Sequence, residues 1–502
     1  PPRSTLFPYT TLFRSRCERG EVIGDVNDAA VKEKARKAVA RRESVPDLFK
    51  EREVALFADY PHERLSERRG KRIGIPRVLE FWNSMPFWRT FFDTLGFDVV
   101  LSAESTRKLY ESGIASVPSD TVCFPAKLAH GHMLDLVEKK VDCIFMPIMG
   151  RMPSENETVV SDFTCSVLKG YPMILRASDE PEERFGLPFL TPYFPWFDER
   201  AKRLQIIDFA KKEFGISKKL AAKAIDQADA AMKAFSGRLE TRGAEVLALL
   251  DERDLFGVVL GARPYHSDRL VSHDLSSYFT RMGIPVLTID SLPQIHETEF
   301  DKVRMDAVVN FHVRMVSGAM FTARHSRLEF AQIVSFGCGH DGIITDEIVD
   351  VMTKISGKRP LVIKMDESDV TGPLNVRVKS FVETVLARRR SGAEESPKAM
   401  PDPFPVRFAK VADSKKIILI PNASRSFCKL ASAVISKQGF RAEPLPLIDQ
   451  DGIKLAKKFT HNDVCYPAQI NIGEFLAVMK KGLYKPEDVV LGMGKITCDC
   501  RL

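Results

Sequence analysis

The sequence lacks most of the short signatures that identify an enzyme class directly. It contains no GxxxxGK[ST] phosphate loop, no HExxH pair of zinc-binding histidines, no GxSxG nucleophile turn and no CxxC pair. These absences exclude P-loop nucleotide hydrolysis, zinc-protease and serine-hydrolase chemistry of those types, and the usual zinc ribbon.

Long apolar runs and signal sequences are also missing. No run approaches the ~18 apolar residues that a membrane-crossing helix needs, and no stretch has the pattern of a secretory signal peptide. The sequence therefore predicts a cytoplasmic protein without a membrane segment.

Charge is balanced rather than concentrated. The 74 Lys and Arg residues exceed the 67 Asp and Glu residues by only seven over 502 positions, and they are scattered along the chain. No basic run resembles a nucleic-acid-binding arm, so we expect no nucleic-acid partner. With 44% hydrophobic and 28% charged residues, the composition is typical of a globular protein, and the length is enough for about three domains.

One short motif occurs twice. Residues 119–132 are SDTVCFPAKLAHGH and residues 461–474 are HNDVCYPAQINIGE. The segments upstream, which begin at Lys71 and Lys415, each start with a basic pair and an apolar run ending in Pro, and each continues through a helix-length stretch to a Gly-Phe pair. This similarity predicts two copies of one β-α-β unit, because a repeat extends over a whole structural unit.

Apolar runs of five to seven residues alternate with helix-length segments along most of the chain. This pattern predicts an α/β fold of repeated flavodoxin-like (Rossmann-like) lobes with parallel sheets, joined by helical linkers. The expected divisions are a non-native, adapter-like segment at 1–15, a helical leader at 16–70, a first lobe at 71–197, a helical linker at 198–253, a second lobe at 254–395, a linker at 396–413, and the start of a third, repeated lobe at 414–502. The chain is expected to be truncated at both ends.

Several of the nine cysteines stand where a ligand would bind such a fold. Pro follows two places after Cys123 and Cys465, so each is expected just before a helix, where the helix dipole favours a thiolate. Cys338 lies between two glycines ahead of a helix, and Cys165 follows a polar loop beyond a strand. Buried structural cysteines and a tight glycine turn remain alternatives for these positions. Cys143, inside an apolar strand, is expected to pack as a small hydrophobic residue.

These motifs together resemble a known family. VCFPAKLAHGH, VDCIFMP, GARPYHSD and SFGCGHDGIITDEI are similar to segments of the activase-related iron-sulfur proteins of the 2-hydroxyacyl-CoA dehydratase superfamily, and the resemblance runs from about Cys17 to Leu502. In that family, cysteines from successive lobes hold an iron-sulfur cluster, most often 4Fe-4S. The resemblance implies Cys123, Cys165 and Cys338 as ligands here. It adds Cys465 and Cys500 as metal-binding residues of the next copy, and it leaves a double-cubane cluster open.

The resemblance also implies a function and partners. It predicts an iron-sulfur protein that receives low-potential electrons from an ATP-hydrolysing activator and that forms homo- or hetero-oligomers. One alternative is a dehydratase subunit that binds a 2-hydroxyacyl-CoA and eliminates water by a radical mechanism, with His340, Asp341 and His266 as candidate catalytic residues. Another is a metal-free scaffold for the activase. Whether the chain is an enzyme stays open between a reductase component, a lyase component and neither.

Overall fold

The computed structural model describes residues 45–493 except 121, 157, 160, 301–302, 304–308, 336, 369–370, 393–395, 399–407, 423 and 461–463. The expectations for residues 1–15 and for Cys500 lie outside this part of the chain. Between residue 45 and the first sheet lies helix α1 (Leu48–Leu56), and the Asp47 side chain caps it by accepting the Lys50 N–H.

The first sheet is parallel and has the strand order β2-β1-β3-β4. Its apolar strands are covered by helices on both faces, as parallel sheets require. The elements of this lobe are β1 (Arg72–Ile75), α2 (Phe81–Thr94), β2 (Asp98–Leu101), α3 (Arg107–Gly113), α4 (Phe124–Glu138), β3 (Cys143–Phe145), α5 (Ser166–Asp179), α6 (Pro181–Phe185) and β4 (Phe189–Leu190).

Two helices connect the first lobe to the second. Helix α7 (Glu199–Phe214) is capped by Asp198 and ends at Gly215 in the left-handed conformation, and α8 (Lys218–Glu252) is capped by Ser217. Helix α8 packs along α2 of the first lobe and also against the turn at Ile289–Ser291 of the second lobe. Helix α8 therefore belongs to the cores of both lobes, whereas α7 belongs to that of the first.

The second sheet is parallel with the order β6-β5-β7-β8, and every residue of its central strands β5 and β7 is buried. Its elements are β5 (Gly257–Gly261), α9 (Leu275–Thr280), β6 (Val286–Thr288), α10 (Asn310–Arg324), β7 (Leu328–Ser335), α11 (Asp341–Ser356), β8 (Leu361–Met365) and α12 (Thr371–Ser391). The segment before α1 covers the edge of this sheet, because Val286 N–H donates to Pro46 O at 3.0 Å.

The third sheet repeats the first one in its topology. Its parallel strand order is β10-β9-β11, which is again second, first, third in chain order. The elements are β9 (Ile417–Ile420), α13 (Arg425–Lys437), β10 (Arg441–Pro444), α14 (Gln450–Phe459), α15 (Tyr466–Lys480) and β11 (Val489–Leu491). This order is the flavodoxin-like one.

The predicted fold class is confirmed: the described residues form three sheets, all parallel, that carry helices in an α/β arrangement. The domain boundaries stay a prediction. None of the helices in the described ranges is long and apolar enough to span a bilayer.

Candidate functional site

Two of the predicted site cysteines begin helices of the first lobe. Cys123 is the N-cap residue of α4 with φ −63° and ψ 149°, and Cys165 is the N-cap residue of α5 with φ −59° and ψ 138°. Their carbonyl groups accept the first helical hydrogen bonds, from Lys127 N–H at 3.2 Å and Lys169 N–H at 3.0 Å. Both sulfurs therefore lie at the positive end of a helix dipole, which favours a bound anion.

Cys338 occupies a tight turn of the second lobe. Its N–H donates to Ser335 O at 3.1 Å, and its own carbonyl accepts the Asp341 N–H at 3.1 Å. Gly337, just before it, has a φ of 78°, a conformation that side chains other than glycine disfavour. This turn places Cys338 beyond the carboxyl end of β7 and ahead of α11, the edge where α/β sheets bind ligands.

The three cysteines of the two lobes lie close enough to affect one another. Burial, together with repulsion from the neighbouring Cys165 and Cys338 thiolates, raises the pKa of the Cys123 thiol to about 12. Burial likewise raises the pKa of Cys338 to about 11, against the opposing effect of Arg263. The structure thus brings Cys123, Cys165 and Cys338 near one another as partly buried thiols at the boundary between the lobes.

Tyr265 lies among these cysteines. It belongs to the turn Pro264–Ser267 of the second lobe, yet it packs into the core of the first lobe, against which Cys123 and Cys165 also pack. Burial raises its pKa well above the ordinary value, and all three cysteines act on it in the same direction. A neutral phenol therefore lies beside the thiols.

A buried ion pair supports the Cys338 turn. The Arg263 guanidinium donates to both carboxylate oxygens of Asp341, at 2.6 and 3.1 Å, and Asp341 Oδ2 also accepts the Ser335 N–H at 2.9 Å. Both side chains are at most 2% exposed. Arg263 also contacts His312 Nε2 at 3.3 Å. The pair fixes the start of α11 and places a positive charge beside the Cys338 sulfur.

The three candidate catalytic residues lie in the same region. His266 accepts the Arg263 N–H at Nδ1 (3.1 Å), so its proton is on Nε2, which contacts Ser335 Oγ at 2.7 Å. Burial lowers the pKa of His266 well below its usual value. Both ring nitrogens of His266 and both carboxylate oxygens of Asp341 contact other groups of the protein. His266 and Asp341 are therefore held as structural partners. The His340 ring centroid lies 4.8 Å from that of His312.

Two other cysteines named in the sequence analysis lie elsewhere. Cys143 is buried in β3, where burial raises the pKa of its thiol to about 11. Cys465 is the N-cap residue of α15 with φ −62° and ψ 150°, nearly the backbone angles of Cys123. It belongs to the third unit, whose core is formed by residues between Ile417 and Val489. Cys465 thus repeats the position of Cys123 in another sheet.

The cysteine cluster suits a polynuclear metal group better than a single ion. Among the described residues, no three His, Cys, Asp or Glu side chains are close enough to hold one metal ion. In an iron-sulfur cubane each thiolate binds a different iron, so the sulfurs need not meet at one point. Three thiols near the boundary of two lobes, two of them at helix starts, are compatible in number and position with such a group.

Sequence reasoning missed one glycine pattern. Gly337, Gly339 and Gly342 have the spacing G-x-G-x-x-G between a strand and a helix, and Asp366 follows the next strand. Such a pattern can bind a dinucleotide. Here the Asp341 carboxylate already takes the place at the helix start where a pyrophosphate would bind. The glycines therefore serve the close turn around Cys338.

Arg263 and Tyr265 were also missed as residues of the site. The signal that could have found them is their position within RPYH, directly after the buried strand β5 and hence at the carboxyl edge of the second sheet.

Comparison with known proteins bears on part of the chain. Residues 72–292 match the family described as CoA enzyme activase uncharacterised domain (DUF2229). This range includes Cys123, Cys165 and the Arg263–His266 turn, whereas Cys338 and the third unit lie beyond it. No curated protein matches the chain. The match covers somewhat less than half of the 502 residues and supports a relationship to the CoA enzyme activase-related proteins.

Proposed function

We propose that this protein is an iron-sulfur electron carrier that receives low-potential electrons from an ATP-hydrolysing activator. The observation that carries the proposal is the meeting of Cys123, Cys165 and Cys338 from two lobes around Tyr265. The family match supports it, because an activase-related region connects the chain to CoA-enzyme activation.

The chemistry of the cysteine thiols favours iron and sulfide as the bound group. Cys123 and Cys338, with thiol pKa values raised to about 12 and about 11, are protonated at neutral pH, and a metal group would displace those protons because a coordinating thiol is deprotonated. Thiolate-bound clusters supply one-electron chemistry at potentials as low as roughly −700 mV. Filling a cluster at such a potential requires an energy source, which ATP hydrolysis by an activator would provide.

The surrounding residues have defined tasks in this proposal. Arg263 places one positive charge beside Cys338, which offsets part of the negative charge that thiolates and electrons bring to a buried site. Tyr265 excludes water from the same region while keeping a neutral hydroxyl next to the sulfurs. Three cysteines leave one iron of a cubane without a protein thiolate, so a water or a substrate oxygen would complete its coordination.

Iron content of cysteine variants tests the proposal. After anaerobic purification we expect Cys123→Ser, Cys165→Ser and Cys338→Ser each to lose most of the iron and acid-labile sulfide of the wild type. Cys143→Ser is the control, because it makes the same substitution at a buried thiol that lies within β3 and outside the cluster. It should keep its iron and lose only stability. Electron paramagnetic resonance of the reduced protein checks the cluster type.

Other outcomes assign other functions. Wild-type protein that binds no iron under reconstitution would overturn the proposal and favour the metal-free scaffold. Equal iron in all four variants would refute the ligand assignment. Turnover of a 2-hydroxyacyl-CoA in the presence of reduced activator would instead identify a dehydratase subunit, for which the possible substrate is an acyl-CoA.

A further inference from the structure

One buried side-chain amide at the lobe boundary has no acceptor for its N–H groups. Asn310 is the first residue of α10 and is 0% exposed. Its Oδ1 accepts the Phe311 N–H at 2.8 Å, which fixes the orientation of the amide because a turned amide would bring two donors together. Its Nδ2 has no hydrogen-bond partner among the residues that the structure describes. A buried donor without an acceptor is costly, so its presence indicates a bound group that accepts the hydrogen bond.

The backbone donors at the start of α10 are used within the protein. The Asn310 N–H donates to Phe163 O at 3.0 Å, and the N–H groups of His312 and Val313 donate to Val309 O at 3.0 and 3.2 Å. In this described turn, the Asn310 amide is therefore the donor that remains for a bound group.

Asn310 lies beside the segment that leads to one of the proposed ligands. Its backbone hydrogen bond joins it to Phe163 of the first lobe, and Val309 pairs with Phe163 as a parallel bridge. Cys165 follows Phe163 by two residues and begins α5. The start of α10 and the Cys165 turn are thus held against each other across the lobe boundary.

The next two residues of α10 reach the other parts of the cysteine site. The Phe311 ring centroid lies 6.5 Å from that of Tyr265, the residue on which all three cysteines act. His312 Nε2 lies 3.3 Å from an Nη atom of Arg263, whose charge acts on Cys338. The first turn of α10 therefore borders the whole cysteine site, with the Asn310 amide at its beginning.

We propose that the Asn310 side-chain amide donates a hydrogen bond to the group that Cys123, Cys165 and Cys338 hold. This inference rests on the proposed function, because the acceptor is then a sulfur of the iron-sulfur cluster. Cluster sulfurs carry negative charge, and an N–H donor stabilises that charge more strongly after an electron has been added. Asn310 thereby raises the reduction potential and makes the cluster easier to fill from an activator.

Anaerobic redox titration of Asn310 variants tests the inference. Asn310→Leu removes the donor at similar size, so we expect it to keep the iron and acid-labile sulfide of the wild type and to have a more negative midpoint potential. Asn310→Gln keeps a side-chain amide and should stay closer to the wild-type potential. Asn471→Leu, which removes a buried amide from α15 of the third unit, is the control and should leave the potential unchanged. A purely structural role of Asn310 predicts lower stability without any change in potential.

A second measurement keeps the test independent of how well the variants fold. Wild-type protein labelled with ¹⁵N in its asparagine side chains, once reduced, should show a ¹⁵N coupling to the unpaired electron in pulsed electron paramagnetic resonance. Asn310→Gln, labelled in the same way, should lose this coupling.

The outcomes separate this inference from the proposed function. Iron-loaded wild type without a ¹⁵N coupling, or Asn310→Leu with the wild-type potential, would show that the amide binds only water and would overturn the inference while the cluster assignment stands. Wild-type protein that binds no iron would refute the proposed function and this inference with it.

Discussion

At the scale of single residues, the Arg263–Asp341 pair is the contact with the largest expected effect. Arg263→Met leaves the Asp341 carboxylate buried without its partner, and breaking a buried pair in this way costs about 3–5 kcal/mol of the free energy of unfolding. Denaturant-induced unfolding measures this loss. Arg203→Met, which removes the partner of the exposed Asp226, should cost at most about 1 kcal/mol. Equal losses in the two variants would contradict the assignment of Arg263.

Part of the site could be predicted residue by residue. Pro125 and Pro467 fit the first turn of a helix, so the places of Cys123 and Cys465 before α4 and α15 followed from local sequence. Cys165 is followed by Ser166 and has no such signal, and its candidacy depended on its place after a polar loop beyond a strand and on the family resemblance. The partnership of Arg263 with Asp341 joins residues 78 positions apart, and no local pattern indicates it.

At the scale of elements, the long helix α8 depends on one glycine where it crosses the second lobe. A Cβ added to Gly243 would lie 1.6 Å from Ser291 O, a backbone atom that cannot move without the turn that carries it. We therefore expect Gly243→Ala to separate α8 from that turn and to lower the free energy of unfolding by about 1–3 kcal/mol.

The same helix provides the matched control. A Cβ at Gly237 meets nothing within 4 Å, and this residue is exposed on the helix surface. Gly237→Ala should therefore raise stability by about 0.5–1 kcal/mol, because alanine restricts the unfolded chain and favours helix. Chemical denaturation of both variants gives the comparison. A loss at Gly237 as large as that at Gly243 would show that the close approach to Ser291 is unimportant.

The composition of α7 and α8 was enough to predict two helices between residues 198 and 253. What it could not predict is that α8 packs on both lobes, because an Ala-rich helix carries no sign of which surface its small residues approach. Tertiary contact with Ser291, far along the chain, gives Gly243 its role.

At the scale of the whole molecule, buried carboxyl groups make stability depend on pH. Burial raises the pKa of Glu80 from 4.5 to about 8, and its Oε2 has no hydrogen-bond partner among the described residues. Asn83 and Arg314 oppose this rise and Glu155 adds to it. The folded protein therefore holds a proton that the unfolded chain has lost, so stability falls as pH rises from about 4.5 to about 8.

Glu80→Gln tests this dependence, because glutamine has no proton to lose. Relative to the wild type, the variant should gain stability as pH rises through this range, by a total on the order of 3–5 kcal/mol. Unfolding free energies between pH 5 and pH 9 provide the measurement. Glu53, whose pKa burial raises to about 7, accounts for a remaining slope of the same sign. Glu111→Gln, at an exposed site, is the control, and its unfolding free energy should depend on pH as that of the wild type does. Parallel curves of unfolding free energy against pH for Glu80→Gln and wild type would rule out a protonated Glu80.

The contact between α1, the first described helix, and the second lobe also affects the order in which parts of the chain can dock during synthesis. Arg52 binds Asp290, which is 238 positions further along the chain, and the segment before α1 covers the outer edge of β6. At ~5–20 residues per second, a ribosome needs roughly ten to fifty seconds to make the intervening chain. During that interval α1 can pack only on elements that are made before β6, among them α2 and α8. The edge of β6 is open to other strands from its synthesis until residues 46–47 pair with it. The first described helix therefore joins the second lobe only after the edge strand of that lobe exists.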